Sequence, residues 1–205
     1  MATYKYGNAL NNKMYADSEG SWMFGYEGDD ELHGSSVPDF LVGGTGNDAI
    51  YGGGGGDLMF GEDGIDWMLG EAGSDSIYGG LGSDVIDGGG EGDLIYGDDT
   101  ATAMIAGVTY NDYILGGSGN DTVHGGFGND KIYGGTGADM LFGDLGNDSI
   151  EGGSENDTIE GGSGHDRLEG GSGADSILGG SGEDTIYGGE ALVADGAEFI
   201  NGGDG

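Results

Sequence analysis

The 205-residue chain has no cysteine, one proline and four lysine or arginine residues in all. Without cysteine no disulfide can hold the fold, although that absence alone does not identify a compartment. The reliably positive residues are Lys5, Lys13, Lys131 and Arg167, set against 39 acidic residues for a formal net charge of -35. Such a balance makes nucleic acid and anionic membrane surfaces poor partners. No apolar run approaches the roughly 20 residues of a membrane-spanning helix. The opening MATYKYGNAL lacks the charged-then-apolar pattern of a cleaved leader. Export, if it occurs, is expected to use another route. There is no HExxH, no GxSxG and no cysteine nucleophile, and His33, His124 and His165 fall in separate places and read as ordinary surface residues. The chain is therefore expected not to be an enzyme.

What is present is glycine, 54 residues of it. Glycine at this level commonly means collagen or disorder. Collagen needs a period of three and disorder needs none. Here the period is nine: Gly-Gly-x-Gly-x-Asp-x-(Ile/Leu)-x, as in GGTGNDAIY from Gly43, GGSGNDTVH from Gly116 and GGFGNDKIY from Gly125. Position 6 is aspartate seventeen times, at Asp30, Asp39, Asp48, Asp57, Asp66, Asp75, Asp84, Asp93, Asp112, Asp121, Asp130, Asp139, Asp148, Asp157, Asp166, Asp175 and Asp184. Position 8 is apolar throughout, from Leu32 and Leu41 to Ile186 and Ile200. A fixed period of this length is the mark of a stacked repeat.

The chain divides into three parts. Residues 1–24 read as degenerate N-terminal capping repeats, with Met14 and Met23 at position 8 but Asn12 and Ser21 in place of aspartate. Terminal repeats of an array are expected to be atypical. Residues 25–187 read as a metal-binding array with an inserted loop near 98–110, after which the phase recovers at Asp112 and Ile114. Residues 188–205 read as an interrupted repeat with extra residues around 191–197, ending on an unfinished GGDG; a truncated C-terminal end is expected.

A short strand followed by a reversing turn pairs most simply with the strand two units later. Eighteen residues then make one coil, with coils stacked about 4.8 Å apart. The expected fold is an all-β parallel β-roll solenoid of about ten coils with three-residue strands and six-residue turns. Side chains alternate across a strand, so position 8 of both sheets meets inside and positions 7 and 9 face outward. This single aliphatic layer is small against the cost of ordering a glycine-rich, self-repelling chain. Folding is therefore expected to need a bound cation.

Stacking also aligns the position-6 aspartates in two columns, of nine and eight. Glycines at positions 1, 2 and 4 let the backbone bend and turn carbonyl oxygens inward. Asn47, Asn120, Asn129 and Asn147 at position 5 suit left-handed turn residues. Carboxylate plus carbonyl is an all-oxygen environment that selects Ca²⁺ over zinc or copper. Up to about fifteen gaps between stacked turns would take calcium, reducing the net charge to around -5. Gaps beside Val37, Pro38, Glu91 and Glu155, which depart from the turn pattern, and at the Gly97 turn, which carries the long insertion, are expected to be weak.

The run GGSGNDTVHGGFGNDKIYGGTGADMLF resembles the repeats-in-toxin (RTX) or hemolysin-type calcium-binding nonapeptide repeats. The resemblance implies a right-handed parallel β-roll. It implies that the seventeen aspartates named above are the metal ligands, assisted by main-chain carbonyls. It further implies a secreted protein, extracellular or on the cell surface, exported unfolded by type I secretion and folding in external calcium. One outward face adds a further expectation. Trp22, Phe24, Phe40, Val42, Leu58, Phe60, Tyr78, Leu94, Tyr96, Met140 and Phe142 share one sheet, which turns polar from Thr158. Strand propensity accounts for part of this stripe, and a contact surface is the other account. The segment Thr100 to Thr109 is a candidate cover. Three roles stay open: a calcium-triggered structural module; an adhesive or self-assembling surface protein using the apolar sheet; and an accessory module of a secreted enzyme whose catalytic region lies outside this chain.

Overall fold

The computed structural model describes residues 3–98, 108–189 and 199–203. Most of the expected insertion near 98–110, the whole of the second excess at 191–197, and most of the proposed cover at Thr100 to Thr109 lie outside the described residues. Among the described residues every regular element is a β-strand. They form one 11-stranded and one 10-stranded sheet, and alternate strands of the chain enter alternate sheets.

Neighbouring strands within a sheet are parallel and eighteen residues apart, with Ile50 opposite Met68 and Ile132 opposite Ile150. At the insertion the offset grows, so that Ile86 pairs with Ile114 and Ile95 with Val123, and it grows again at the last pair, where Ile177 lies opposite Ile200. The ten extra residues therefore leave the register intact. A one-residue slip would have moved each inward side chain to solvent.

The strands are longer than expected. Most run six residues, as in Ala49–Gly54 and Lys131–Thr136. Pairing continues past position 9 because the Gly-Gly-x segment also finds partners: Gly53 lies opposite Glu71, and the Gly54 N–H donates to the Ser35 carbonyl at 2.8 Å. Only the sharp bend at positions 4–6 is left as turn.

Position 8 forms the core. The residues from Met23 to Ile177 at this position are fully buried and make one continuous cluster. Met14 and Ile186 pack only partly against it, and Ile200 is 48% exposed. The expectation of a buried position 8 thus fails at Ile200, because no further described coil packs on its strand. At the other end the ladder already begins within residues 1–24, with Thr3–Tyr6 pairing to Ser21–Glu27.

Candidate metal centre

Each turn enters its strand through the position-6 aspartate, and the stacking fixes what that side chain meets. Its Oδ1 accepts a hydrogen bond from the backbone N–H of the aspartate one coil earlier. The Asp30 N–H donates to Asp48 (2.7 Å), Asp112 to Asp130 (2.7 Å) and Asp166 to Asp184 (3.0 Å). The insertion does not interrupt either column, since Asp84 donates to Asp112 (2.7 Å) and Asp93 to Asp121 (2.8 Å). The seventeen aspartates thus lie in two columns, Asp30 to Asp184 and Asp39 to Asp175. Asn12 and Ser21 stand first in these columns, and their N–H groups donate to Asp30 (2.6 Å) and Asp39.

The second carboxylate oxygen has a different fate. From Asp30 to Asp166, Asp39 aside, and at Asp184, Oδ2 is buried with no hydrogen-bond partner. A buried acceptor left unsatisfied is costly, more so when charged. That oxygen points at the position-1 glycine of its own turn. A Cβ on Gly125 would sit 2.6 Å from Asp130 Oδ2 and 2.9 Å from the Gly143 carbonyl oxygen. At position 4, Gly128 has φ +117° and a Cβ there would strike the Tyr110 carbonyl. Glycine at these positions therefore leaves space lined by carbonyl oxygens and one unbonded carboxylate oxygen. Among the described residues no three His, Cys, Asp or Glu side chains converge on one point, so a cation here would draw most of its ligands from the main chain. Hard oxygens in that number and kind suit Ca²⁺.

Burial opposes ionisation of these carboxylates, and neighbouring acids add to it. Burial pushes Asp57, Asp84, Asp93, Asp148 and Asp157 up to about 7. It pushes Asp66 and Asp130 up to about 8. Asp112 rises to about 10, through burial and then the charge of Asp84. A bound cation reverses this preference by pairing with the ionised form.

Departures from the repeat have local consequences, and one of the seventeen expected ligands stands apart from the common arrangement. Asp39 keeps its Oδ1 bond, but its Oδ2 accepts from the Ser35 N–H (2.7 Å) and hydroxyl (2.9 Å). At Asp39, beside Val37 and Pro38, the oxygen that is left unbonded in the other turns is therefore already engaged. Asp175 is the last aspartate of its column, because the next unit carries Glu198 at position 6, outside the described residues. Asp175 is buried and keeps the standard bond on its lower side, accepting the Asp157 N–H at 3.0 Å. Its Oδ2 lies against Gly170, where a Cβ would strike it, and its carbonyl accepts the Phe199 N–H at 2.9 Å. Asp175 thus has the common turn geometry and closes its column, as Asp184 closes the other.

Glu91 and Glu155 adopt positive φ in place of the position-4 glycine, and their carboxylates accept from the Gly73 and Gly137 N–H groups at 2.9 Å. Asp93 and Asp157 nevertheless retain an unbonded Oδ2. The position-5 asparagines are not in the left-handed region. Their side-chain oxygens instead accept from position 5 of the next coil, as Asn47 does from Ile65 (2.9 Å) and Asn129 from Asn147 (2.8 Å). An inter-coil bond is what the amide offers once glycine supplies the turn's left-handed residues.

One functional candidate escaped the sequence pattern. Asp98, at position 2 of the interrupted unit, is 2% exposed, and its Oδ1 is buried without a hydrogen-bond partner. Its only signal was an acid where glycine is usual, and Glu62, Glu71 and Asp144 share that signal.

On the outer face of the larger sheet, rings stack from coil to coil. Centroids lie 4.9 Å apart for Phe60–Tyr78, 5.2 Å for Tyr78–Tyr96, 4.8 Å for Tyr96–His124 and 4.5 Å for His124–Phe142. His124 is thus a half-buried rung of the row, with Asp144 at 3.1 Å from Nδ1. His33 stacks likewise between Tyr15 and Tyr51 on the other sheet.

A family model described as RTX calcium-binding nonapeptide repeat (4 copies) matches residues 6–37, 33–68, 60–95, 106–141, 133–168, 142–177 and 160–191. No curated protein matches the chain.

Proposed function

The chain belongs to the RTX calcium-binding nonapeptide repeat family, and from that premise we propose that it is the calcium-triggered structural β-roll of an exported protein. In this reading it leaves the cell unfolded by type I secretion. It folds outside the cell when calcium fills the gaps between stacked turns, up to about fifteen of them. It carries no catalysis of its own. The observation that supports this most is the column of buried, unbonded Oδ2 atoms facing glycine-lined space. Cation binding satisfies those oxygens and offsets the net charge of -35, so binding free energy becomes folding free energy. The test is circular dichroism during a calcium titration. Strand signal should rise cooperatively in the range of roughly 10⁻⁴ to 10⁻³ M calcium expected of an extracellular module. A calorimetric titration showing no calcium uptake over that range refutes the reading.

A second reading draws on the aromatic row. Trp22 is 42% and Met140 47% exposed on the sheet that carries it. Self-association through this sheet would make the chain an adhesive or assembling surface protein. Light scattering in calcium should then give more than the monomer mass, and replacing Phe40, Leu58 and Phe60 with serine should return it to monomer. A monomeric wild-type chain excludes this second reading.

A further inference from the structure

Among the acidic residues at position 2, Asp98 is the exception. Glu62, Glu71 and Asp144 adopt positive φ, and Glu62 and Glu71 are exposed, with Asp144 partly so. Asp98 does not adopt positive φ, and its side chain is buried. The consequence shows on the coil above. A Cβ at the position-2 glycines Gly44, Gly80, Gly89, Gly117 and Gly162 would meet the position-2 carbonyl oxygen of the coil below. At Gly126 that place is held by the Asp98 side chain, with Cβ and Oδ2 both 2.8 Å away. Oδ2 also does the carbonyl's work. It accepts the Phe127 N–H at 2.7 Å, as the position-2 carbonyl of Ser35 accepts the position-3 N–H of Gly54 at 2.8 Å.

A neutral main-chain oxygen has therefore been exchanged for a carboxylate, and its Oδ1 remains unbonded inside the protein. The surroundings are those of the metal column. Gly97, the preceding residue, lies against Asp112 Oδ2, and Gly125, beside Gly126, lies against Asp130 Oδ2. We propose that Asp98 is an additional ligand that makes the gap between the Gly97 and Gly125 turns a distinct, tighter cation site within the array. This rests on the calcium reading given above. In an oxygen-ligated site the number of charged ligands tunes affinity. Trading a carbonyl for a carboxylate should tighten this gap by about tenfold or more relative to its neighbours.

The test uses the full chain and calcium chloride alone, titrated against a competing chelator so that the tightest class is resolved. Asp98→Asn keeps an acceptor for Phe127 while removing the charge. Asp98→Gly restores the common turn. Asp63→Asn, an exposed position, controls for charge alone. One equivalent of calcium should leave the tightest class in both Asp98 variants, with its affinity falling about tenfold or more to that of the ordinary gaps. Asp63→Asn should leave it in place. If both Asp98 variants retain the tight class, or if wild type shows a single class of sites, Asp98 makes no distinct, tighter site. If wild type takes up no calcium, the calcium reading falls and this inference with it.

Discussion

Stripping calcium at pH 8 should unfold the chain, and lowering the calcium-free chain to pH 5 should bring strand back. Asp57 illustrates the magnitude. Its ordinary value is 3.8, and burial raises it to about 7 in the fold. Each pH unit of difference is worth about 1.4 kcal/mol. Ionising this group in place therefore costs about 4 kcal/mol at pH 8, while at pH 5 the folded form keeps its proton and the cost falls to about 1.6 kcal/mol. Because the folded value is raised, the contribution to stability is fully present below about pH 4 and is lost as pH rises through about 6 to 8. The columns repeat this situation at Asp66, Asp84, Asp93, Asp130, Asp148 and Asp157. Neighbouring carboxylates titrate together rather than singly. Relief of even four or five of them approaches the roughly 5–15 kcal/mol that stabilises an ordinary domain. The assay is far-ultraviolet circular dichroism in excess chelator between pH 8 and pH 5, still above the isoelectric point near 4.1. A chelated chain that keeps its calcium-bound spectrum at pH 8, or gains no strand by pH 5, refutes the reasoning.

Other outcomes follow from the same geometry. Asp130→Ala and Asp148→Ala should each weaken cooperative calcium uptake more than Asp39→Ala does, because Ser35 already occupies Asp39 Oδ2; a calcium titration in which Asp39→Ala is the worst of the three contradicts this. Ile132→Ala, in a fully buried rung, should cost about 2–5 kcal/mol, read as a lower denaturant midpoint in saturating calcium, and an unchanged midpoint would argue against a packed core there. Gly146→Ala should destabilise the calcium-bound form, because a Cβ there would strike the Gly128 carbonyl at φ +149°; thermal unfolding in calcium measures it, and no loss of midpoint would deny the close approach of the coils.

The period of nine determined a great deal without any coordinates. It specified which residues stack, so the two sheets, the inward row from Met23 to Ile177, the two aspartate columns and the recovery of register at Asp112 and Ile114 were all legible. A side-chain period of two and a coil of eighteen leave one arrangement that buries every position 8. Stacking order does not say where a side chain points or which of its atoms is already bonded. Only the tertiary structure separated Oδ1, committed to the N–H of the previous coil, from Oδ2, left facing the glycines. It alone showed Ser35 closing over Asp39, His124 taking its place between Tyr96 and Phe142, and the position-5 asparagines bonding between coils. Asp98 makes the division plain. In sequence it matches Glu62, Glu71 and Asp144, all acids at position 2. Those three adopt positive φ and stay exposed or partly exposed, whereas Asp98 does not and lies buried against Gly126 and Phe127 of the coil above.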